Sequence, residues 1–297
     1  MSKKTARFYI PHQDDPNIKI AGDLEQVEPE SSTQGRKIAL VYLISGLNTS
    51  LSTHFSPLIM IVIYSGNHET GGPWNVSEFD NDIADIRTVV AFLSTELGYT
   101  VDMVVAHSRG AIVAFKWISS TPEGQRVSYF VNCAGRHRMK TRSLTNYSPT
   151  ESVRLLNLGL ERLAIYGPSI EQQGYYEWKV KVAGQEQIGK IFAGDIERFA
   201  SWDISHIWDS FPQETHVLTL QGLADETVPP YDGILHHRAL STRNPGTHTL
   251  HMVEGANHNF IGKYDEVNET ILEWFNQAKE GKLPGSGIWK TGVKTKL

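Results

Sequence analysis

Residues 104–114 constrain the fold of this chain more than any other stretch. Their sequence, VVAHSRGAIVA, is an apolar run interrupted by a pentad in which Ala106 and Gly110 flank Ser108. Small residues at those two positions let a strand and a helix approach closely, so the pattern predicts a sharp strand-to-helix turn that exposes the Ser108 hydroxyl. N–H groups at the start of the helix would face a negative charge developing there. The stretch therefore predicts a serine placed to attack an acyl carbon.

Two more polar residues follow predicted strands later in the chain. The stretch 216–222 reads as a buried strand that leads to Asp225, and 247–254 reads as another that leads to His258. Functional residues of open α/β sheets lie at the carboxyl ends of the strands. We therefore expect Ser108, Asp225 and His258 to lie at one edge of a sheet.

The order Ser, Asp, His resembles that of the α/β-hydrolase fold. The chain looks most similar to the serine-aminopeptidase-like and cinnamoyl-esterase-like branch of that superfamily. The segments that carry the resemblance are the Ser108 turn, Gly222-x-x-Asp225-x-x-Val228-Pro229, Glu254-Gly255-Ala256-x-His258 and the turn at 65–70. The resemblance covers residues 37–135 and 214–278 and implies an α/β fold with a mostly parallel, doubly wound sheet and an inserted lid after the sixth strand.

The resemblance also implies a role for each of these residues. Ser108 would be the nucleophile, His258 the general base and then the general acid, and Asp225 the residue that orients the imidazole. Glu226 is an alternative acid, but Asp225 fits the spacing of the family.

An oxyanion hole needs two N–H donors, and the resemblance assigns them to Arg109 and Leu47. Leu47 follows the predicted strand at 37–44, where Ser45 departs from the His-Gly-x of the family, and it could instead be a loop-anchoring apolar residue. The crossover after Gly46 has only residues 47–57 before the next buried run, so it is shorter than a full helical crossover. The Arg109 side chain could bind a substrate carboxylate or pair with a nearby acid.

The remaining chain divides into a core, an insertion and a tail. We expect residues 1–135 and 214–281 to form the hydrolase core, 136–213 to form the lid, and 282–297 to be a flexible tail. Aromatic residues in the insertion favour a pocket for an aryl or medium acyl group; they are Tyr166, Tyr175, Tyr176, Trp178, Trp202 and Trp208.

Composition excludes several other classes of function. The net charge is −5 with no basic stripe, which argues against nucleic acid as a partner. The apolar run at 58–64 is too short to span a bilayer, and the N-terminus shows no secretory signal, so we expect a cytoplasmic protein. Cys133 lies in a predicted core strand, and neither a metal motif nor a cofactor motif is present.

These patterns predict a serine hydrolase that cleaves small carboxylic esters through an acyl-enzyme intermediate. An aminopeptidase-like or acylglycerol hydrolase would use the same three residues, and acids of the insertion such as Glu171, Glu177 and Glu197 could then hold an α-amino group. A protein that keeps the fold for binding and turns over slowly is an alternative of another class. The substrate, a small molecule, and the oligomeric state are not specified by the sequence.

Overall fold

A nine-stranded, mostly parallel sheet forms the centre of the computed structural model, which describes residues 4–26, 35–42, 58–62, 69–72, 75–139, 165–182, 185–284 and 286–288. Its strands are β1 Lys4–Pro11, β2 Lys19–Gln26, β3 Lys37–Tyr42, β4 Leu58–Val62, β5 Thr100–His107, β6 Tyr129–Cys133, β9 His216–Gly222, β10 His248–Val253 and β11 Ser286–Ile288. In space they run β1-β2-β4-β3-β5-β6-β9-β10-β11. Among the described strands of this sheet, β1 with β2 and β2 with β4 pair antiparallel, and the other neighbours pair in parallel. The predicted α/β class is confirmed.

Helices cover both faces of the sheet because alternate side chains of each strand point to opposite sides. The described helices with defined bounds are α1 Phe79–Thr95, α2 Arg109–Ser120, α3 Asp195–Ser201, α4 His206–Asp209, α5 Tyr231–Leu240 and α6 Tyr264–Lys279. In β5, Val104 belongs to the buried apolar cluster that includes residues of α1 and α2. Its neighbour Val105 belongs to the opposite cluster, which includes Trp274 of α6. Both faces of β5 are therefore core, which explains its apolar run at 103–106.

The insertion lies between β6 and β9, after the sixth strand. Its described part contains helical residues 165–173, a two-stranded hairpin, α3 and α4. The hairpin consists of β7 Tyr175–Val182 and β8 Gln185–Phe192, which pair antiparallel from Tyr175↔Phe192 to Val182↔Gln185.

The C-terminal segment departs from the prediction of a flexible tail. Ser286–Ile288 pairs in parallel with β10, from His248↔Ser286 to Leu250↔Ile288, so the prediction is wrong for these residues. The physical reason is that the outer edge of β10 offers unpaired backbone groups that a passing extended segment can satisfy.

Two other predictions lie outside the described residues, namely the position of Leu47 and the shortened crossover at 47–57. In the part of the chain that the structure describes, none of the helices combines the length and the apolar character that crossing a membrane requires.

Candidate active site

Ser108 occupies the predicted turn between β5 and α2. Its backbone lies in the left-handed region, with φ 55° and ψ −118°, which is unfavourable for a residue with a side chain. The surrounding structure holds this conformation. The Ser108 N–H donates to the carbonyl of Cys133 at 2.8 Å, and the Ser108 carbonyl accepts from the N–H of Ala111 at 3.1 Å. Both backbone polar groups of the serine are thus hydrogen-bonded, and its hydroxyl meets the imidazole of His258.

The three predicted residues come together through two hydrogen bonds of the His258 ring. The Ser108 Oγ lies 2.8 Å from Nε2, and Oδ2 of Asp225 lies 2.8 Å from Nδ1. A carboxylate only accepts hydrogen bonds, so Nδ1 carries the proton that it donates to Asp225. The lone pair of Nε2 then faces the Ser108 hydroxyl. This arrangement can take a proton from the serine and hold the resulting charge beside a carboxylate.

The Asp225 carboxylate is buried and receives donors on both oxygens. The N–H groups of Thr227 and Val228 each donate to Oδ1 at 2.8 Å, and the side-chain amide of Gln221 donates to Oδ2 at 3.1 Å. These bonds fix the carboxylate in the orientation that faces the imidazole. Glu226, the alternative acid, lies exposed on the surface instead. Of the two candidate acids, the structure therefore brings only Asp225 to His258.

Close backbone contact locks the two loops that carry Asp225 and His258. The N–H of Ala224 donates to the carbonyl of Ala256 at 2.9 Å. A Cβ added at Gly222 would lie 2.4 Å from that same carbonyl oxygen, which is far inside contact distance. Glycine is therefore required at residue 222 so that the acid and the imidazole can lie this close.

His107 supports His258 from below, and the sequence analysis did not single it out. Its Nε2–H donates to the backbone carbonyl of His258 at 2.8 Å, and the two ring centroids are 4.9 Å apart. Burial, together with the nearby His258, lowers the pKa of His107 to about 4, so it stays neutral at neutral pH. A second positive charge therefore does not oppose protonation of His258. A polar residue at the end of the buried strand β5 was the sequence feature that could have identified His107.

Arg109 places its backbone amide and its side chain in different surroundings. As the first residue of α2, its N–H has no carbonyl partner within the helix, which suits the predicted oxyanion donor. Its guanidinium Nε donates to Oδ2 of Asp82 at 2.7 Å, a second nitrogen donates to the carbonyl of Val76, and the guanidinium lies over the ring of Phe79. These contacts match the ion-pair alternative and oppose a substrate-carboxylate clamp.

Asp82 is the acid of this pair, and it is almost completely buried. Burial raises its pKa to about 6, and the neighbouring Asp85 adds to the effect, while the positive charge of Arg109 opposes it. Asp82 precedes Arg109 by a long stretch of chain that includes β5, so no sequence pattern identified Asp82 as the acid of this pair.

Other candidate chemistry is absent from the described part of the chain. No group of three or more histidine, cysteine, aspartate or glutamate side chains there could hold a metal ion. Burial raises the pKa of the Cys133 thiol to about 12, so it stays protonated and unreactive. The acids considered for an amine site, Glu171, Glu177 and Glu197, are all exposed.

Aromatic residues of the insertion contact the core and one another. Trp202 packs against Phe79 with ring centroids 4.6 Å apart, and the indole of Trp208 donates to Nε2 of His137 at 3.2 Å. Tyr166 and Tyr176 pack together within the insertion at 4.4 Å. These contacts account for four of the six aromatic residues without a substrate.

Solved structures share this architecture. Est1E from Butyrivibrio proteoclasticus, solved with ferulic acid bound, matches with a TM-score of 0.65 and 12% identity, over 92% of this chain and 99% of that chain. The esterase Pf2001 from Pyrococcus furiosus matches with a TM-score of 0.56 and 12% identity, over 92% of this chain and 90% of that chain. The chain therefore has the α/β-hydrolase fold that the sequence predicted.

Sequence comparison is less informative. No family model matches the chain. The uncharacterized protein YDL057W from Saccharomyces cerevisiae is 26% identical over 175 residues, which make up 57% of this chain and 45% of the yeast protein. The chain thus matches less than half the length of this relative.

Proposed function

We propose that the protein is a serine hydrolase that cleaves small carboxylic esters through an acyl-enzyme intermediate. The observation that carries the proposal is the continuous hydrogen-bonded line from Ser108 through His258 to Asp225, with both distances 2.8 Å. A hydroxyl, a base and an orienting carboxylate in this arrangement are the elements of nucleophilic acyl transfer. The strained turn at Ser108 supports the same reading, because such strain concentrates at functional sites.

The first half of the reaction follows from these contacts. The Ser108 Oγ attacks the ester carbonyl carbon while its proton passes to Nε2 of His258. Asp225 stabilises the imidazolium that forms, and the N–H of Arg109 stabilises the negative oxygen of the tetrahedral intermediate. The second donor implied by the resemblance, Leu47, lies outside the described residues. The C–O bond to the alcohol then breaks, and His258 returns the proton to the leaving alkoxide.

The second half repeats the same steps with water. His258 takes a proton from a water molecule that attacks the acyl carbon, and the bond to Ser108 breaks. The acid product leaves, and the proton returns to the Ser108 oxygen. A neutral His107 beneath the ring favours this cycle, since a charged neighbour would oppose each protonation of His258.

The comparison with solved structures supports an ester substrate. Est1E was solved with ferulic acid bound, and Pf2001 is an esterase; this chain shares the fold of both. An aminopeptidase would use the same three residues but needs an acid near the scissile bond to hold the α-amino group.

Burst kinetics with p-nitrophenyl butyrate test the proposal. We expect a burst of p-nitrophenol equal to the enzyme concentration, because acylation releases the alcohol before water releases the acid. Ser108→Ala is expected to lower kcat by about 10⁴-fold or more. Ser120→Ala is the matched control, since Ser120 is an exposed serine at the far end of α2, the helix that Ser108 precedes, and its hydroxyl donates to the carbonyl of Lys116. An amino-acid p-nitroanilide serves as the peptidase substrate.

Each alternative has its own outcome in this assay. Faster turnover of the p-nitroanilide than of the ester would replace the esterase proposal with an aminopeptidase. No burst and no turnover in the wild-type protein would favour the binding alternative and refute the hydrolase. Equal rates for wild type and Ser108→Ala would refute Ser108 as the nucleophile.

A further inference from the structure

The guanidinium of Arg109 is held on several sides in a nearly water-free setting. It donates to Asp82 at 2.7 Å and to the carbonyl of Val76, and its carbon lies 4.3 Å from the centroid of the Phe79 ring. Only 11% of the Arg109 side chain and 9% of the Asp82 side chain are exposed. Burying two charges carries a desolvation cost that their attraction offsets only in part, so such a pair is a poor device for stability alone.

Two contacts join this anchor to the inserted segment. Ser77, next to the carbonyl that Arg109 binds, donates from its hydroxyl to Oδ1 of Asp195 at 3.1 Å. Asp195 is the first residue of α3 and is fully buried. On the other side, the Phe79 ring beneath the guanidinium lies 4.6 Å from the ring of Trp202. The side chain of the residue after the nucleophile is thereby connected to the helix that follows the hairpin.

We propose that Arg109 is a positioning residue whose anchored side chain fixes its own backbone amide at the oxyanion site and ties that amide to the insertion. The proposal rests on the proposed function, because it concerns the amide used in that reaction. The side chain and the amide share one Cα, and that Cα adjoins the strained Ser108. Because the guanidinium is held on both sides, the turn at Ser108 cannot relax its strained backbone conformation.

The planar fork of arginine is essential to this arrangement. Lysine at residue 109 could pair with Asp82 but could not also bond the carbonyl of Val76 in the same plane or stack on Phe79. Displacing a reacting or stabilising group by about 1 Å can lower a rate by about 100-fold. We therefore expect kcat to fall in both variants, and to fall further in Arg109→Met than in Arg109→Lys.

Kinetics and inhibitor binding with purified variants of this chain test the proposal. Arg109→Met keeps an unbranched apolar stem and removes the fork. Arg87→Met is the matched control, because Arg87 pairs with Glu123 from α1 and is 52% exposed. The readouts are kcat and KM for p-nitrophenyl butyrate and the Ki of an alkyl trifluoromethyl ketone. The ketone forms a tetrahedral adduct with a serine nucleophile and so reports on stabilisation of the oxyanion.

For Arg109→Met we expect kcat to fall about 10- to 100-fold, KM to stay within about twofold, and the ketone Ki to rise by the same factor as kcat falls. Arg109→Lys is expected to lie between wild type and Arg109→Met, and Arg87→Met within about twofold of wild type in all three values. A purely structural role would lower the folded fraction without this matched change in kcat and Ki.

An unchanged kcat in folded Arg109→Met, or a change confined to KM, overturns the proposal. If Arg109→Met does not fold, Asp82→Asn is judged by the same criteria, since it keeps the shape of the acid and removes its charge. A wild-type protein with no esterase activity refutes the proposed function and this proposal together. An active wild type whose folded variants keep full kcat refutes this proposal alone.

Discussion

His206 links the stability of the protein to pH, and one substitution isolates its contribution. It is the first residue of α4, and only 5% of it is exposed. Burial lowers its pKa from 6.5 to about 4, and the nearby Lys116 adds to the effect while Asp203 opposes it. The ring is therefore neutral in the folded protein over a range in which the unfolded chain binds a proton.

The sign and the size of the effect follow from that difference. Between pH 6.5 and pH 4 the unfolded state holds one more proton at this site than the folded state, so the free energy of unfolding falls as the pH is lowered. From pH 8 to pH 5 the loss from this imidazole alone is about 2 kcal/mol, and below pH 4 it reaches about 3 kcal/mol. Phenylalanine at this position keeps a ring of similar size and removes the titration.

Urea unfolding of wild type and His206→Phe at pH 8, 7, 6 and 5 measures this term. The difference in unfolding free energy between the two proteins is expected to stay constant from pH 8 to pH 7, which serves as the internal control. By pH 5 wild type should have lost about 2 kcal/mol of unfolding free energy relative to His206→Phe. Parallel pH profiles of the two proteins would refute the reasoning.

Three further substitutions give distinct results. Gly222→Ala drives a Cβ to 2.4 Å from the carbonyl of Ala256 and should lower both kcat and the urea midpoint, whereas Gly71→Ala, whose Cβ has 3.8 Å of room, should leave both unchanged. Asp225→Asn should lower kcat by about 10⁴-fold, because an amide no longer fixes the Nδ1–H tautomer of the imidazole; a loss under tenfold would contradict this. Trp117→Ala, at a fully buried side chain, should cost about 3–5 kcal/mol in urea unfolding, and a cost below about 1 kcal/mol would contradict the assigned core.

The sheet and the serine turn were predictable because their information is local. The mostly apolar stretches at 103–106 and 216–222 predict buried strands, and the small residues around Ser108 predict the turn. The parallel arrangement then brings Asp225 and His258 to the same edge as the serine, whatever the intervening chain does.

Contacts between distant segments were not predictable from the same patterns. The pairing of Asp82 with Arg109 depends on how α1 packs against the turn between β5 and α2, and the spacing of apolar residues does not predict that packing. Gln221 lies in an apolar strand and gives no sign that its amide holds Asp225. The strand Ser286–Ile288 is only three residues long and contains a glycine, so its conformation depends on the open edge of β10.

Covalent labelling with a fluorophosphonate probe asks whether Ser108 is a nucleophile activated by His258. After labelling of the folded protein, mass spectrometry of the digest locates the adduct. We expect one adduct, on the peptide that contains Ser108, with labelling slowed at least about 100-fold in His258→Ala and abolished in urea. Folded wild-type protein that remains unlabelled, or His258→Ala that labels as fast as wild type, would contradict an acyl-transfer site built on these residues.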